Sequence, residues 1–171
     1  MPESVAHDPG LRCEDLSPDS ARTVFPLLRE AVPGLTLAGW LGFARRVGSP
    51  RQALRSGIVV VRRAPRPMPC GLFIWRRDDD LEHGAVLVAE HLVAIDLLDP
   101  APVMAALVRE LEALAKRLGC GGIRTMMIRP DAPIAAQLLA AGHATQVGAM
   151  FKPVESRPDA GPPSKPGPSR R

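Results

Sequence analysis

The sequence has few of the residues that several classes of protein require. Its 171 residues include no Tyr, two Trp and four Phe, too few aromatic rings for a surface that stacks nucleic-acid bases. The three cysteines, Cys13, Cys70 and Cys120, are odd in number and widely spaced. This spacing predicts neither a disulfide framework nor a zinc knuckle, and no metal site is expected.

Long hydrophobic runs are also missing. The most apolar stretch, Gly84 to Leu98, is interrupted by Glu90, His91 and Asp96 and is shorter than a membrane span. The first ten residues lack the basic start and apolar core of a secretory signal. We therefore expect no membrane association and a cytoplasmic location.

Charge is almost balanced outside the C-terminal tail. The formal net charge is +4, of which the segment from Glu155 onward supplies +2. A nearly neutral body argues against a nucleic-acid partner. Residues 153–171 contain six of the 19 prolines and almost no apolar side chains, so we predict a disordered, basic tail. Residues 1–10 are expected to be flexible, and residues 11–152 to form one domain.

The first half of the domain is predicted to begin with a strand and two helices. Leu11 to Leu16 alternates as a strand, and Ser17-Pro18 starts a helix that Pro33-Gly34 ends. A second helix is predicted over 35–47. Two strands follow, over 58–63 and 70–77, as an antiparallel hairpin, and the run Asp78-Asp79-Asp80 is interpreted as a solvated loop.

The second half alternates strands and helices. Residues 85–98 are predicted to form a central strand, and Asp99-Pro100 to start an amphipathic helix that Gly119 ends. A strand over 123–128, a helix over 131–141 and a strand over 144–151 complete the order β-α-α-β-β-β-α-β-α-β. This order predicts an α/β (α+β) fold with a mixed, mostly antiparallel central sheet and helices on both faces.

Three stretches resemble the GNAT superfamily of acyl-CoA N-acyltransferases. Residues 11–19, LRCEDLSPD, are similar to the family's first strand and the turn into its first helix. Residues 107–120, LVRELEALAKRLGC, resemble its third helix, and residues 131–143, DAPIAAQLLAAGH, resemble its fourth. The resemblance covers residues 11–154 and implies acetyl-CoA as the acyl donor and a small-molecule or peptide amine as the acceptor.

The resemblance also implies where the acyl donor binds. It places the pantetheine arm along the end of the fourth strand and the pyrophosphate at the turn into the third helix, which is glycine-rich in the family. Here that turn reads Asp99-Pro100-Ala101-Pro102, without glycine and with two prolines that have no N–H. The candidate donor-binding residues are Ile95, Asp96, Leu97, Val103, Met104 and Asp131.

Glu90 is the candidate general base, because the family often places a carboxylate on the central strand for this purpose. The other reading is that Glu90 faces solvent or pairs with an Arg of the hairpin. A dyad of Glu90 with His91 would need a bulge, because neighbours in a regular strand point to opposite faces. Trp40 and Trp75 are candidate substrate-binding residues, with a place in the core as the alternative.

Two functions are compatible with these residues. The first is acetyl transfer from acyl-CoA to an amine by an enzyme with a divergent donor turn. The second is a non-catalytic GNAT-like domain that binds a partner protein or another small ligand, because fold alone does not determine function. A homodimer is compatible with either function.

Overall fold

The computed structural model describes residues 10–65, 68–96, 99–126 and 132–144. The expected final strand over 144–151, the tail over 153–171 and the N-terminal residues 1–9 lie outside this part, apart from Ala144. The elements are β1 (Leu11–Asp15), α1 (Ala21–Ala31), α2 (Leu37–Val47), β2 (Ser56–Arg63), β3 (Pro69–Asp80), β4 (Gly84–Ala94), α3 (Ala101–Arg117), β5 (Gly122–Met126) and α4 (Ala132–Ala140).

The five described strands form one sheet in the order β1-β2-β3-β4-β5. The first four pair antiparallel, and β4 pairs parallel with β5. A parallel pair needs a crossover, and α3 supplies it. The mixed, mostly antiparallel sheet predicted from the element order is confirmed.

Polar side chains define where the first two helices begin. The Ser17 hydroxyl accepts the Ser20 N–H at 3.3 Å, which starts a short 3-10 turn before α1. The Thr36 hydroxyl accepts the Gly39 N–H at 3.1 Å. Because Thr36 is the N-cap, α2 begins at Leu37, two residues later than predicted.

Strand β2 is buried on both faces of the sheet. Val59 and Val61 pack towards α3, whereas Ile58 and Val60 pack towards α1 and α2. All four side chains are at most 2% exposed. A strand buried on both faces is apolar without alternation, which explains the continuous run of β-branched residues in β2.

The glycines that follow α3 and α4 end these helices as predicted. Gly119 has a φ of 64° and Gly142 a φ of 87°, values that glycine adopts without steric cost. The Cys120 N–H then donates to the Ala115 carbonyl, and the His143 N–H to the Leu138 carbonyl. These bonds satisfy carbonyl groups that the helix itself leaves without partners.

The acidic run after the hairpin is part of β3 and not a loop. Asp78, Asp79 and Asp80 pair with β4 down to Gly84. The Asp80 carboxylate accepts a hydrogen bond from the Arg124 guanidinium of β5 at 2.5 Å. It also accepts hydrogen bonds from the N–H groups of the following turn. These bonds hold the pKa of Asp80 well below its usual range, chiefly through His83 and Arg124. Pairing with β4, together with the Asp80–Arg124 ion pair, therefore extends β3 beyond its apolar part.

Cys13 is predicted to react slowly with alkylating reagents. Burial, assisted by Glu110, raises the pKa of its thiol to about 11. At pH 8 we expect iodoacetamide to modify Cys13 at least about 100-fold more slowly in the folded chain than in denaturant, because the thiolate is the nucleophile. Mass spectrometry of the tryptic peptide 13–22 measures the rate.

The same shift has a consequence for stability at alkaline pH. Because folding raises the thiol's pKa, the stabilisation is complete below the unfolded value, near 8.5, and is lost as pH rises towards 11. A Cys13→Ser variant is the control, since its stability should lack this step. Equal alkylation rates in the folded and unfolded chain would contradict the slow modification of Cys13 predicted above.

Candidate functional site

A bulge interrupts β4 at His91. Ile74 of β3 pairs with Glu90, and Leu72 pairs with Val93, so that Phe73 lies opposite two residues, His91 and Leu92. His91 has a φ of 53°, which is uncommon for a residue with a side chain. The extra residue changes the direction of β4 directly after Glu90.

The bulge lies where the described pairing of β4 with β5 stops. The parallel ladder runs from Val86 and Gly122 to Glu90 and Met126. From there to Ala94, β4 pairs with β3 among the residues that the structure describes.

Glu90 is held by an arginine of the hairpin. One carboxylate oxygen accepts the Arg76 Nη1 at 2.6 Å, and Arg76 also reaches Asp78 at 3.5 Å. The Glu90 side chain is 31% exposed. The hairpin ion pair, one of the two alternatives for Glu90, is present, and the carboxylate does not lie in purely apolar surroundings.

His91 combines a neutral imidazole with a polar atom that has no partner. Its Nδ1 is buried and has no hydrogen-bond partner among the described residues. Burial lowers the pKa of the imidazole below its ordinary value, and the neighbouring Glu90 carboxylate opposes this effect. At neutral pH the ring is therefore uncharged.

The end of β4 carries two of the predicted donor-binding residues. The Ile95 N–H donates to the Cys70 carbonyl at 2.8 Å, and the Ile95 side chain is 41% exposed. Asp96 forms an ion pair with Arg63 at 3.0 Å. Two further candidates, Leu97 and Asp131, lie outside the described residues.

The start of α3 has few free hydrogen-bond donors. The Asp99 carboxylate accepts the Ala101 N–H at 2.9 Å, Pro102 has none, and the Met104 N–H donates to the Pro100 carbonyl at 3.0 Å. In the described part of the chain, this leaves the Val103 N–H alone without a partner. Pro100, the N-cap, makes no side-chain cap bond, and the helix start is poorly equipped to bind an anion.

Two of the predicted donor-binding side chains belong to the core. Val103 is fully buried against the sheet, and Met104, 4% exposed, packs with Val108 and Leu138. Their side chains therefore face the core and not the surface at the helix start. Only their backbone lies at the helix start.

The two tryptophans lie on opposite faces of the sheet. Trp40 is 1% exposed, packs among α1 and α2, and donates its indole N–H to the Ala21 carbonyl at 2.6 Å. Trp75 is 4% exposed and packs on the α3 face beside Gly57. The two rings cannot line one substrate cleft, so the structure favours the core alternative for both.

The sequence does not single out His91; it indicates only that a dyad with Glu90 would need a bulge. The positive φ had no signal in the sequence, because neither Gly nor Asn occupies the position. Arg76 was anticipated only as an unspecified arginine of the hairpin.

The part of the chain that the structure describes contains neither a membrane-spanning helix nor a metal-binding cluster. No helix there is both long and apolar enough to cross a membrane. No group of three His, Cys, Asp or Glu side chains in that part of the chain has the arrangement of a metal site.

Known proteins resemble this chain in structure and not in sequence. No family model and no curated protein matches the sequence. The aminoglycoside N-acetyltransferase AAC(6')-Iy, solved in complex with CoA, superposes with a TM-score of 0.70 at 12% identity, over 85% of this chain and 95% of that one.

Two further solved structures are similar to the same extent. Glucosamine-6-phosphate N-acetyltransferase from Arabidopsis thaliana gives a TM-score of 0.68 at 13% identity, over 85% of this chain and 99% of that one. Ribosomal-protein-alanine N-acetyltransferase from Brucella melitensis gives 0.67 at 13% identity, with the same coverage. At this level of identity the likeness is one of fold. The chain has the fold of the GNAT N-acetyltransferases.

Proposed function

We propose that the chain transfers an acyl group, typically acetyl, from acyl-CoA to the nitrogen of a small-molecule or peptide amine. The observation that carries this proposal is the bulged end of β4, with Glu90 directly before the bulge, on a GNAT fold. An AAC(6')-Iy structure with the bisubstrate analogue CoA-S-monomethyl-acetylneamine has the same fold, with a TM-score of 0.69 at 12% identity. That bisubstrate analogue joins CoA and acetylneamine in one ligand.

The acyl donor is proposed to lie along the carboxyl end of β4. Backbone groups of Ile95, Asp96 and Leu97 would hold the pantetheine arm, and the Val103 and Met104 backbone would lie near the pyrophosphate. Asp131, outside the described residues, stays a candidate donor-binding residue. Because the start of α3 offers a single free N–H in the described residues, we expect weak donor binding.

Glu90 is proposed to receive the amine. An amine substrate arrives as an ammonium ion, and a carboxylate attracts it and takes a proton, so that the nitrogen lone pair becomes free to attack the thioester carbonyl. Arg76 holds Glu90 in one orientation through the 2.6 Å bond. The carboxylate's second oxygen, Oε2, is then the one that faces the substrate in this scheme.

Replacing Glu90 by Gln is expected to lower kcat by about 100-fold or more, because the amide keeps the shape but cannot take the proton. Acetyl transfer to a panel of amines is measured by the release of free thiol. The matched control is Glu14→Gln, which removes another arginine-paired carboxylate, with its own 2.6 Å bond to Arg62, at the opposite side of the sheet. An unchanged rate in Glu90→Gln would remove Glu90 from the mechanism.

A second function is supported by the start of α3. The Asp99 carboxylate and the missing N–H of Pro102 oppose an anionic ligand there, as expected for a non-catalytic domain that binds a partner protein or another small ligand. Calorimetric titration with acetyl-CoA and desulfo-CoA separates the two functions. A dissociation constant below about 1 mM supports the enzyme, whereas no binding up to that concentration supports the non-catalytic domain.

A further inference from the structure

His91 has two unfavourable features at one position. A side chain at a φ of 53° and a buried ring nitrogen without a partner among the described residues each destabilise the folded chain. Surrounding structure must hold such a residue in place. Positions of this kind are concentrated at functional sites, so the observed strain is a reason to look for a role.

The position of His91 relates it to the proposed reaction. It follows Glu90 directly, at the bulge where the described β4–β5 ladder stops. The residue is partly buried. Among the described residues, Glu90 is the charged group that acts on its imidazole, and Glu90 is bound to Arg76. A neutral ring beside an oriented carboxylate can both accept and donate a proton.

Acyl transfer requires a second proton transfer, which such a ring can perform. An ammonium substrate loses one proton before attack, and Glu90 is proposed to take it. The C–N bond then forms, and the tetrahedral intermediate carries a second acidic N–H. As the C–S bond breaks, the electron pair goes to sulfur, which must gain a proton to leave as the thiol. The nitrogen therefore has one proton to lose, and the leaving sulfur needs one proton.

We propose that His91 carries this second proton, accepting it from the nitrogen of the tetrahedral intermediate and donating it to the departing sulfur. The imidazole ends the cycle neutral, and the proton held by Glu90 passes to solvent. The proposal rests on the acyl transfer proposed above. Because Nδ1 is buried, the proton passes through the other ring nitrogen, Nε2.

His91→Asn and His91→Gly test the proposal. Both residues accept a positive φ, so each variant should keep the bulge and fold at least as readily as the parent chain. We expect either variant to lower kcat for acetyl-CoA by about 100-fold, because neither side chain can carry a proton. The dissociation constant of desulfo-CoA should remain within threefold. The control is His83→Asn, an exposed histidine at the β3–β4 turn, with kcat unchanged.

The pH profile provides a readout that a purely structural role would not move. NMR titration of the ring protons gives the pKa of His91 in the parent chain, and the fall of kcat at acidic pH should follow it, because the protonated ring cannot accept the second proton. In His91→Asn this part of the profile should be absent. A glycine variant that is folded and inactive supports the proposal.

Three results would overturn it. The first is a kcat within threefold of the parent value in His91→Gly. The second is a fall of kcat at acidic pH in His91→Asn at the same pH as in the parent chain. The third is a loss of rate explained by weaker desulfo-CoA binding. Failure of the proposed function looks different: the parent chain then transfers no acyl group to any amine. A parent chain that is active, with His91 variants equally active, overturns the role of His91 alone.

Discussion

The double substitution Asp99→Gln with Pro102→Gly is expected to increase the affinity for acetyl-CoA by about two to four decades. It removes a carboxylate from the start of α3, frees the Ala101 N–H that Asp99 now accepts at 2.9 Å, and adds an N–H at position 102. Two charge-assisted hydrogen bonds of about 1.5–3 kcal/mol each would account for a gain of this size. The pyrophosphate would meet three N–H groups at the helix start in place of one.

Calorimetry with acetyl-CoA measures this gain, and desulfo-CoA separates binding from turnover. Loss of the Asp99 cap should lower stability by about 1 kcal/mol, which leaves the domain folded. Asp19→Gln with Pro18→Gly is the matched control, because it changes the same residue types at the start of the first helical turn, on the other face of the sheet. If the double variant bound no more tightly than the parent chain, missing donors at α3 would not be what limits binding.

Trp40→Ala is expected to destabilise the domain by about 3–5 kcal/mol. The ring is 1% exposed and packs among α1, α2 and the sheet, so its removal leaves a large cavity. The Ala21 carbonyl also loses the indole N–H at 2.6 Å. A loss of this size is a large share of the 5–15 kcal/mol that typically separates folded and unfolded states.

Urea unfolding followed by circular dichroism gives the change in free energy. Trp40→Phe should fall between the parent chain and Trp40→Ala, because it keeps most of the apolar volume and loses the hydrogen bond. Leu54→Ala, at a side chain 73% exposed, should change stability by less than about 0.5 kcal/mol. A Trp40→Ala variant within 1 kcal/mol of the parent would contradict the core position of the ring.

Most elements could be predicted from the sequence because local signals agreed with long-range packing. The apolar stripe of α3 faces the sheet, and Gly119 ends the helix where the pattern stops. The β-branched run of β2 is buried on both faces. In such segments the polarity of each residue matches its burial, so the apolar periodicity is sufficient to predict the element.

The acidic end of β3 shows where local signals fail. Asp78 to Asp80 are poor strand formers, and their composition is typical of a solvated loop. They form a strand because they pair with Gly84 to Val86 of β4, and the Asp80 carboxylate also binds Arg124, which lies far along the chain. Pairing over 44 residues is invisible to a local pattern.

The site was predicted in part for a related reason. Glu90 stood out as a carboxylate in an apolar strand, and its arginine partner followed from the hairpin. The unusual backbone of His91 depends on how β4 aligns with β3 around Phe73, which no side-chain pattern records. The tryptophans were misleading because a large aromatic residue suits both a core and a binding wall.

The short connection between β3 and β4 bears on the order in which the sheet assembles. Three residues join these strands, whereas 40 residues separate β1 from β2. By loop-closure entropy, bringing the ends of the longer segment together costs about 2 kcal/mol more. The β3–β4 pair is therefore the part of the sheet that the denatured chain can form most readily. Because Arg76 and Glu90 lie on its two strands, their ion pair needs only local contacts and does not wait for the helices to dock.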